Sequence, residues 1–159
     1  MTTTETASLF DRLGGLKNIY AFCCVSMKHA IEHPAIGEFW QHATEAMIKE
    51  ETLHLVDFLA SRWGGPDAYR GKDMVTTHRG MGVTDEHWTA IFEAMETTYE
   101  EFGLPQELRD EINADLQKLK PAIVGSPAYR DVILEHPEID IMKGMKSVGV
   151  IWPPPSSQR

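Results

Sequence analysis

A chain of 159 residues with a formal net charge of −9 can bury one sizeable core but not two. Its acidity argues against nucleic acid or an anionic membrane surface as partner, since both need a basic footprint. With 42% hydrophobic and 25% charged residues it has the composition of a soluble globular protein, and no apolar run approaches the roughly 20 residues that span a bilayer.

Apolar residues at helical spacing organise the chain. From about 16 to 32, Ile19, Phe22, Cys23, Met27, Ala30 and Ile31 recur at such intervals, and Pro34 stands just beyond the end. From about 45 to 63, Ile48, Thr52, Leu55, Leu59 and Trp63 form a second stripe, stopped by Gly64-Gly65-Pro66. A short glycine-punctuated loop then carries a single histidine, His78, towards the next helix. From about 85 to 102, Trp88, Ile91, Phe92, Met95, Tyr99 and Phe102 give the cleanest periodicity. Thr84 can cap this helix, and Asp85 and Glu86 suit its positive N-terminal end. From about 106 to 124, Leu108, Ile112, Leu116, Leu119 and Ile123 make the fourth stripe, with Pro105 at its start. No strand pair and no internal repeat is visible, so the expected fold is all-α. MTTTETASLF lacks the basic and apolar regions of a secretion signal. Adjacent Cys23 and Cys24 suit two core thiols in a reducing compartment, and a cytoplasmic location is expected.

A bundle of four helices needs no cofactor, so its central residues decide the matter. On the second helix Glu51, His54, Leu55 and Phe58 stand at i, i+3, i+4 and i+7, on one face that mixes apolar groups with a carboxylate and an imidazole. The double-glycine turn returns His78 towards that face. Two imidazoles then oppose each other across a slot walled by Phe58, Trp88, Phe92 and Ile112. Imidazole suits iron, and a haem requires such an apolar slot with one firm axial nitrogen.

The residues that bring a family into view are SLFDRLGG at 8–15, HPAIGEFW at 33–40, FLASRWGGPDAYRGKDM at 58–74 and HRGMGVTDEHW at 78–88. From about Ser8 to Val124 the chain resembles the truncated haemoglobins of the first group. Their two-over-two helical sandwich around a haem is the fold this implies, and their paired glycines permit tight corners. The resemblance assigns residues 1–125 to a truncated globin domain. Residues 126–159 then form an extension, partly helical before the disordered tail PPPSSQR, with Ile139, Met142, Met145 and Trp152 as its apolar surface.

By position, the resemblance makes His78 the proximal ligand of a b-type haem. Trp40 falls where a phenylalanine usually packs on the haem, and Met27 where a distal tyrosine is common. Glu51 and Leu55 match two distal positions, and His54 matches one that supplies a sixth ligand in some cyanobacterial relatives. Met74, Val83, Trp88, Ile91, Ile112 and Leu116 would line the proximal side and floor, while Arg70, Lys72 and Arg79 are candidates for the propionates. His54 is equally readable as a propionate partner or a solvent-facing residue, Glu51 as a surface carboxylate, and Met27 as core filler. His29, His33, His42, His87 and His136 read as ordinary surface residues.

The resemblance implies reversible binding of a diatomic gas, oxygen or nitric oxide, with nitric oxide oxidation as a possible extension. Met27 and Leu55 offer no hydrogen-bond donor, which argues against tight oxygen storage. Two alternatives stand beside this reading. In one, His78 and His54 both bind the iron of a redox or nitrite/peroxide-processing protein, with Glu51 as proton donor and an unidentified reductase as partner. In the other, a haem-based sensor acts through the C-terminal extension. A monomer or weak dimer is expected.

Overall fold

The computed structural model describes residues 6–129, together with 131 and 135. Among these residues the elements in chain order are α1 (Leu9–Arg12), α2 (Leu16–Glu32), a 3-10 turn (Gly37–Trp40), α3 (Glu45–Arg62), α4 (Met74–His78), α5 (Asp85–Phe102), α6 (Gln106–Gln117) and α7 (Lys120–Ile123). No strand occurs among them, and no helix is long and apolar enough to cross a membrane. The expected helical part of the extension, including Ile139, Met142, Met145 and Trp152, lies outside the described residues.

The long helices start and stop where local chemistry directs. Thr44 accepts a hydrogen bond from the Met47 amide (3.2 Å) at the head of α3. Thr84 and His87 form a reciprocal capping box on α5, each side chain accepting from the other's backbone N–H at 3.2 and 3.0 Å. The fourth stripe is not one helix. It ends at Gln117 and restarts at Lys120, because Pro121 has no N–H to give and its ring would collide with the carbonyl one turn earlier.

Helix α2 lies at the centre, packed on α5 and α3. Its inner face joins Val56, Leu59, Trp63, Met95, Tyr99 and Ile112 in the main core. Phe22 organises the aromatics there, stacked on Tyr99 (6.0 Å between centroids) and edge-on to Trp63 (6.2 Å). Of the polar atoms brought inside, those of Tyr99 and Trp63 are paired, while the buried Ser26 Oγ on α2 has no partner among the described residues. Tyr99 Oη donates to Asn113 Oδ1 at 2.7 Å, and Trp63 Nε1 donates to Asp115 Oδ2 at 3.0 Å. Helix α1 is pinned to the end of α3 by the Phe10 amide, 2.8 Å from the Trp63 carbonyl. A smaller cluster of Ala30, Ile36, Ala90 and Ala94 closes the far end. Of the two thiols expected in the core, only Cys23 is buried. Cys24, a hundred degrees further round the helix, is exposed.

Candidate functional site

His78 is not on a loop, as its glycine-rich surroundings suggest, but on the last residue of α4. That helix exists because Asp73 caps it. Asp73 Oδ1 accepts from the Thr76 amide at 2.7 Å, and the same hydrogen bonding holds the Asp73 carboxyl below its ordinary range. His78 is half-buried, with Nδ1 2.9 Å from the Met74 carbonyl oxygen. A carbonyl only accepts, so Nδ1 must carry the proton. A neutral imidazole held this way leaves the Nε2 lone pair free, the arrangement a metal-binding histidine requires.

Helix α4 packs on α7 and makes at most slight contact with α3 and α5. Apolar side chains that the folded chain leaves half-covered stand on three helices: Leu55 and Phe58 on α3, both against the main core, Met74 on α4, and Ile91 and Phe92 on α5, Ile91 against the smaller cluster. Phe58 meets the Tyr69 ring edge-on at 5.2 Å, and the Tyr69 hydroxyl donates to the Lys72 carbonyl at 2.9 Å, bracing the connection into α4. Tyr69 was not among the residues singled out, although it lies inside the segment 58–74. Phe39 and Trp40 flank the smaller cluster, half-buried like the others.

The remaining candidates fall into three groups. Glu51 and His54 are exposed on the edge of α3, and Trp40 Nε1 donates to Glu51 Oε2 at 2.8 Å. Among the described residues no hydrogen bond or ion pair reaches His54. Met27 is buried beneath a groove of about 320 Å³ between α2 and α3, which Ile48, Thr52 and Cys24 also line. Arg70, Lys72 and Arg79 are exposed, and Val83 is buried with its carbonyl turned to the Gly125 amide.

Ile112 is 0% exposed inside the main core, and Leu116, like Leu55 and Phe58, packs against that core. Trp88 is buried against Phe92 (5.3 Å), with Nε1 donating to Gln117 Oε1 at 2.9 Å, which ties α5 to the end of α6. Three histidines read as ordinary surface are engaged instead. His29 pairs with Glu101 (2.8 Å), His33 pairs with Glu93 (2.7 Å), and His87 stacks edge-on against Phe39 at 4.9 Å. The partners of His29 and His33 are distant in sequence, so no local signal marks them, whereas His87 also caps α5 with Thr84.

A haem needs an apolar slot and one oriented axial nitrogen. His78 supplies such a nitrogen, and α3, α4 and α5 each leave apolar side chains half-buried that a flat apolar group could cover. Among the described residues no three His, Cys, Asp or Glu side chains gather as a metal cluster.

Comparison with known proteins places the chain in a family. The family model of the bacterial-like globins matches residues 8–124. The group 1 truncated hemoglobin of Tetrahymena pyriformis is 25% identical over 118 residues, which is 74% of this chain and 95% of that protein. That of Synechocystis sp. is 26% identical over 132 residues, covering 80% of this chain and 98% of the relative. Among solved structures, a mutant truncated hemoglobin from T. pyriformis in its Fe(III) form superposes with a TM-score of 0.70 at 25% identity. The match covers 76% of this chain and all of that one. The 2/2 hemoglobin from Synechococcus, in the cyanomet state and with covalently attached heme, gives 0.63 at 26% identity over 70% of this chain and 91% of that one.

Proposed function

The chain belongs to the bacterial-like globin family as a truncated, two-over-two globin, and from that premise we propose that it holds a b-type haem on His78 and binds a diatomic gas reversibly. The observation that carries the proposal is the half-buried His78 imidazole, its Nδ1 proton committed to the Met74 carbonyl and its Nε2 without a partner among the described residues. When bound, the haem supplies the iron at which a gas molecule is taken up.

The chain's own residues set the terms of that binding. His78 would hold the haem iron through Nε2, and the Met74 carbonyl raises the basicity of that imidazole through the Nδ1 proton. Leu55, Phe58, Ile91 and Phe92 would supply apolar surface that keeps water from the bound group. Met27 and Leu55 give the distal side a wall without hydrogen-bond donors, so it favours apolar gases and releases oxygen readily. Glu51, steered by Trp40, is the carboxylate placed to hold or deliver a proton at the rim. Arg79, exposed one residue beyond His78, is available to a propionate.

A second reading rests on His54, an exposed imidazole that no described residue engages, three residues from Glu51. If it closes the sixth position, the protein is a redox or nitrite/peroxide-processing haem protein that needs a separate reductase. Absorption spectra of the haem-loaded chain, ferric and dithionite-reduced, decide between the two. A five-coordinate high-spin ferrous spectrum supports gas binding. A six-coordinate low-spin one that becomes five-coordinate in His54→Ala supports the second reading. Stable haem retention by His78→Ala would overturn both.

A further inference from the structure

The chain that continues past the family match is docked on the loop that follows His78. The Gly125 amide donates to the Val83 carbonyl and the Tyr129 amide to the Gly80 carbonyl, each at 3.1 Å. In return the Gly80 amide donates to Ser126 Oγ at 3.2 Å. Helix α7 lies against α4 immediately before this segment, and Lys120 Nζ stands 2.7 Å from Asp85 Oδ1 at the head of α5. The loop is shaped to receive it. Gly80 and Gly82 have φ of +79° and +69°, in the left-handed region. A Cβ on Gly80 would come within 2.5 Å of the Tyr129 ring, and one on Gly82 within 2.7 Å of the Ala128 Cβ. The loop thus lacks a side chain at two points, and residues 126–129 occupy both.

We propose that residues 125–129 clamp the proximal loop and fix the orientation of the His78 imidazole, so that the chain beyond residue 124 tunes the bond this imidazole makes to iron. This rests on the haem reading given above. His78 is mounted from two directions. On its N-terminal side the Met74 carbonyl holds Nδ1. On its C-terminal side the backbone leaves the helix at Arg79 (ψ 131°) and runs directly into Gly80, which both Ser126 and Tyr129 grip. Any displacement of Gly80 therefore reaches His78 through one intervening residue. The orientation and freedom of an axial ligand govern the strength of its metal bond, and the groups that orient it affect the metal strongly without touching it. Ser126 and Tyr129 are positioning residues in this sense. Tyr129 is 54% exposed, so its removal leaves the main core intact.

The test uses the full chain carrying Tyr129→Ala with Ser126→Ala, and Tyr129→Phe as the conservative variant. Three quantities are read: the iron–histidine stretching frequency of the ferrous form by resonance Raman, the rate of haem transfer to apomyoglobin, and hydrogen exchange of the Gly80 amide in the haem-free chain. In the double variant the stretch is expected to fall and broaden, haem loss to speed up about tenfold, and the Gly80 amide to exchange faster. Tyr129→Phe is expected to match the unaltered chain in all three. A deprotected Gly80 amide with unchanged stretch and haem loss would overturn the clamp and leave a simple tether. An amide as protected as before would overturn it too, since these side chains then hold nothing. Failure of the unaltered chain to take up haem at all would overturn the haem reading as well, and so is distinguishable from failure of the clamp alone.

Discussion

The two ends of this molecule are held by different means. Around Phe22, Tyr99 and Ile112 the side chains close on one another, with Ile19, Cys23, Tyr99 and Ile112 wholly shielded and the buried polar atoms of Tyr99 and Trp63 paired. On α4 His78 and Met74 are only half-buried, and short local devices hold the backbone: the Asp73 cap, the Met74 carbonyl and two glycines under the C-terminal segment. The first region folds on its own packing. The second has its geometry set but its apolar surface incompletely buried, as befits a place completed by a flat apolar partner.

Substitutions can break that contrast. His78→Ala should weaken haem retention at least about a hundredfold, beyond the loss typical of outer-shell partners. The haem-free chain should keep its stability within about 0.5 kcal/mol, read by urea unfolding. A large fall in haem-free stability would mean that α4 belongs to the core. Ile112→Ala should do the reverse, costing about 2–5 kcal/mol in thermal unfolding while the folded fraction keeps an unaltered haem spectrum. Tyr99→Phe removes the hydrogen bond to the half-buried Asn113 and should cost about 0.5–1.5 kcal/mol, again without a spectral change.

A smaller effect is expected at the cap. Asp73→Ala should speed haem loss a few-fold, whereas Asp73→Asn, which can still accept the Thr76 hydrogen bond, should not. Because the native Asp73 carboxyl sits below its ordinary value near 3.9, its contribution is complete above that value. It vanishes as pH falls through the depressed native value. Between pH 5 and 8 the gap between Asp73→Ala and the unaltered chain should therefore stay constant. The gentlest probe is thiol labelling. Burial pushes the Cys23 thiol up to about 12, so at pH 8 a maleimide should modify Cys24 alone. Labelling of both would show that the main core opens.

The long helices are legible in the sequence because each buries a stripe wide enough to leave a periodic signal, and α2, α3 and α5 run within a residue of their expected bounds. Helix α4 leaves none: five residues make little more than one turn, and the Asp73 cap is its only local mark. The break before Pro121 was readable from the proline, but the apolar spacing runs through it unchanged. At the site, His78 stands out through the motifs that resemble the globins rather than through any spacing of its own. The Trp40–Glu51 bond, the His29–Glu101 and His33–Glu93 pairs, and the seating of Tyr129 on Gly80 join positions from 11 to 72 residues apart. They follow from how helices pack, which one-dimensional periodicity does not encode. Ile112 follows the same rule: its stripe is readable, but its place in one core with Ile19, Phe22, Met95 and Tyr99 is not.

Gly82 and Ala128 share a space too small for two side chains, and this makes their histories inseparable. Neither position can drift alone: a residue larger than alanine at 128 presses on the Gly82 backbone, and anything but glycine at 82 meets Ala128 while also needing a left-handed backbone. In a library randomised at both positions, folded members should retain glycine at 82 whenever the chain extends past 128. They should admit asparagine or aspartate there only when it has been cut short. The tail thereby writes a rule into a loop encoded far upstream of it, and selection on either segment is felt by the other.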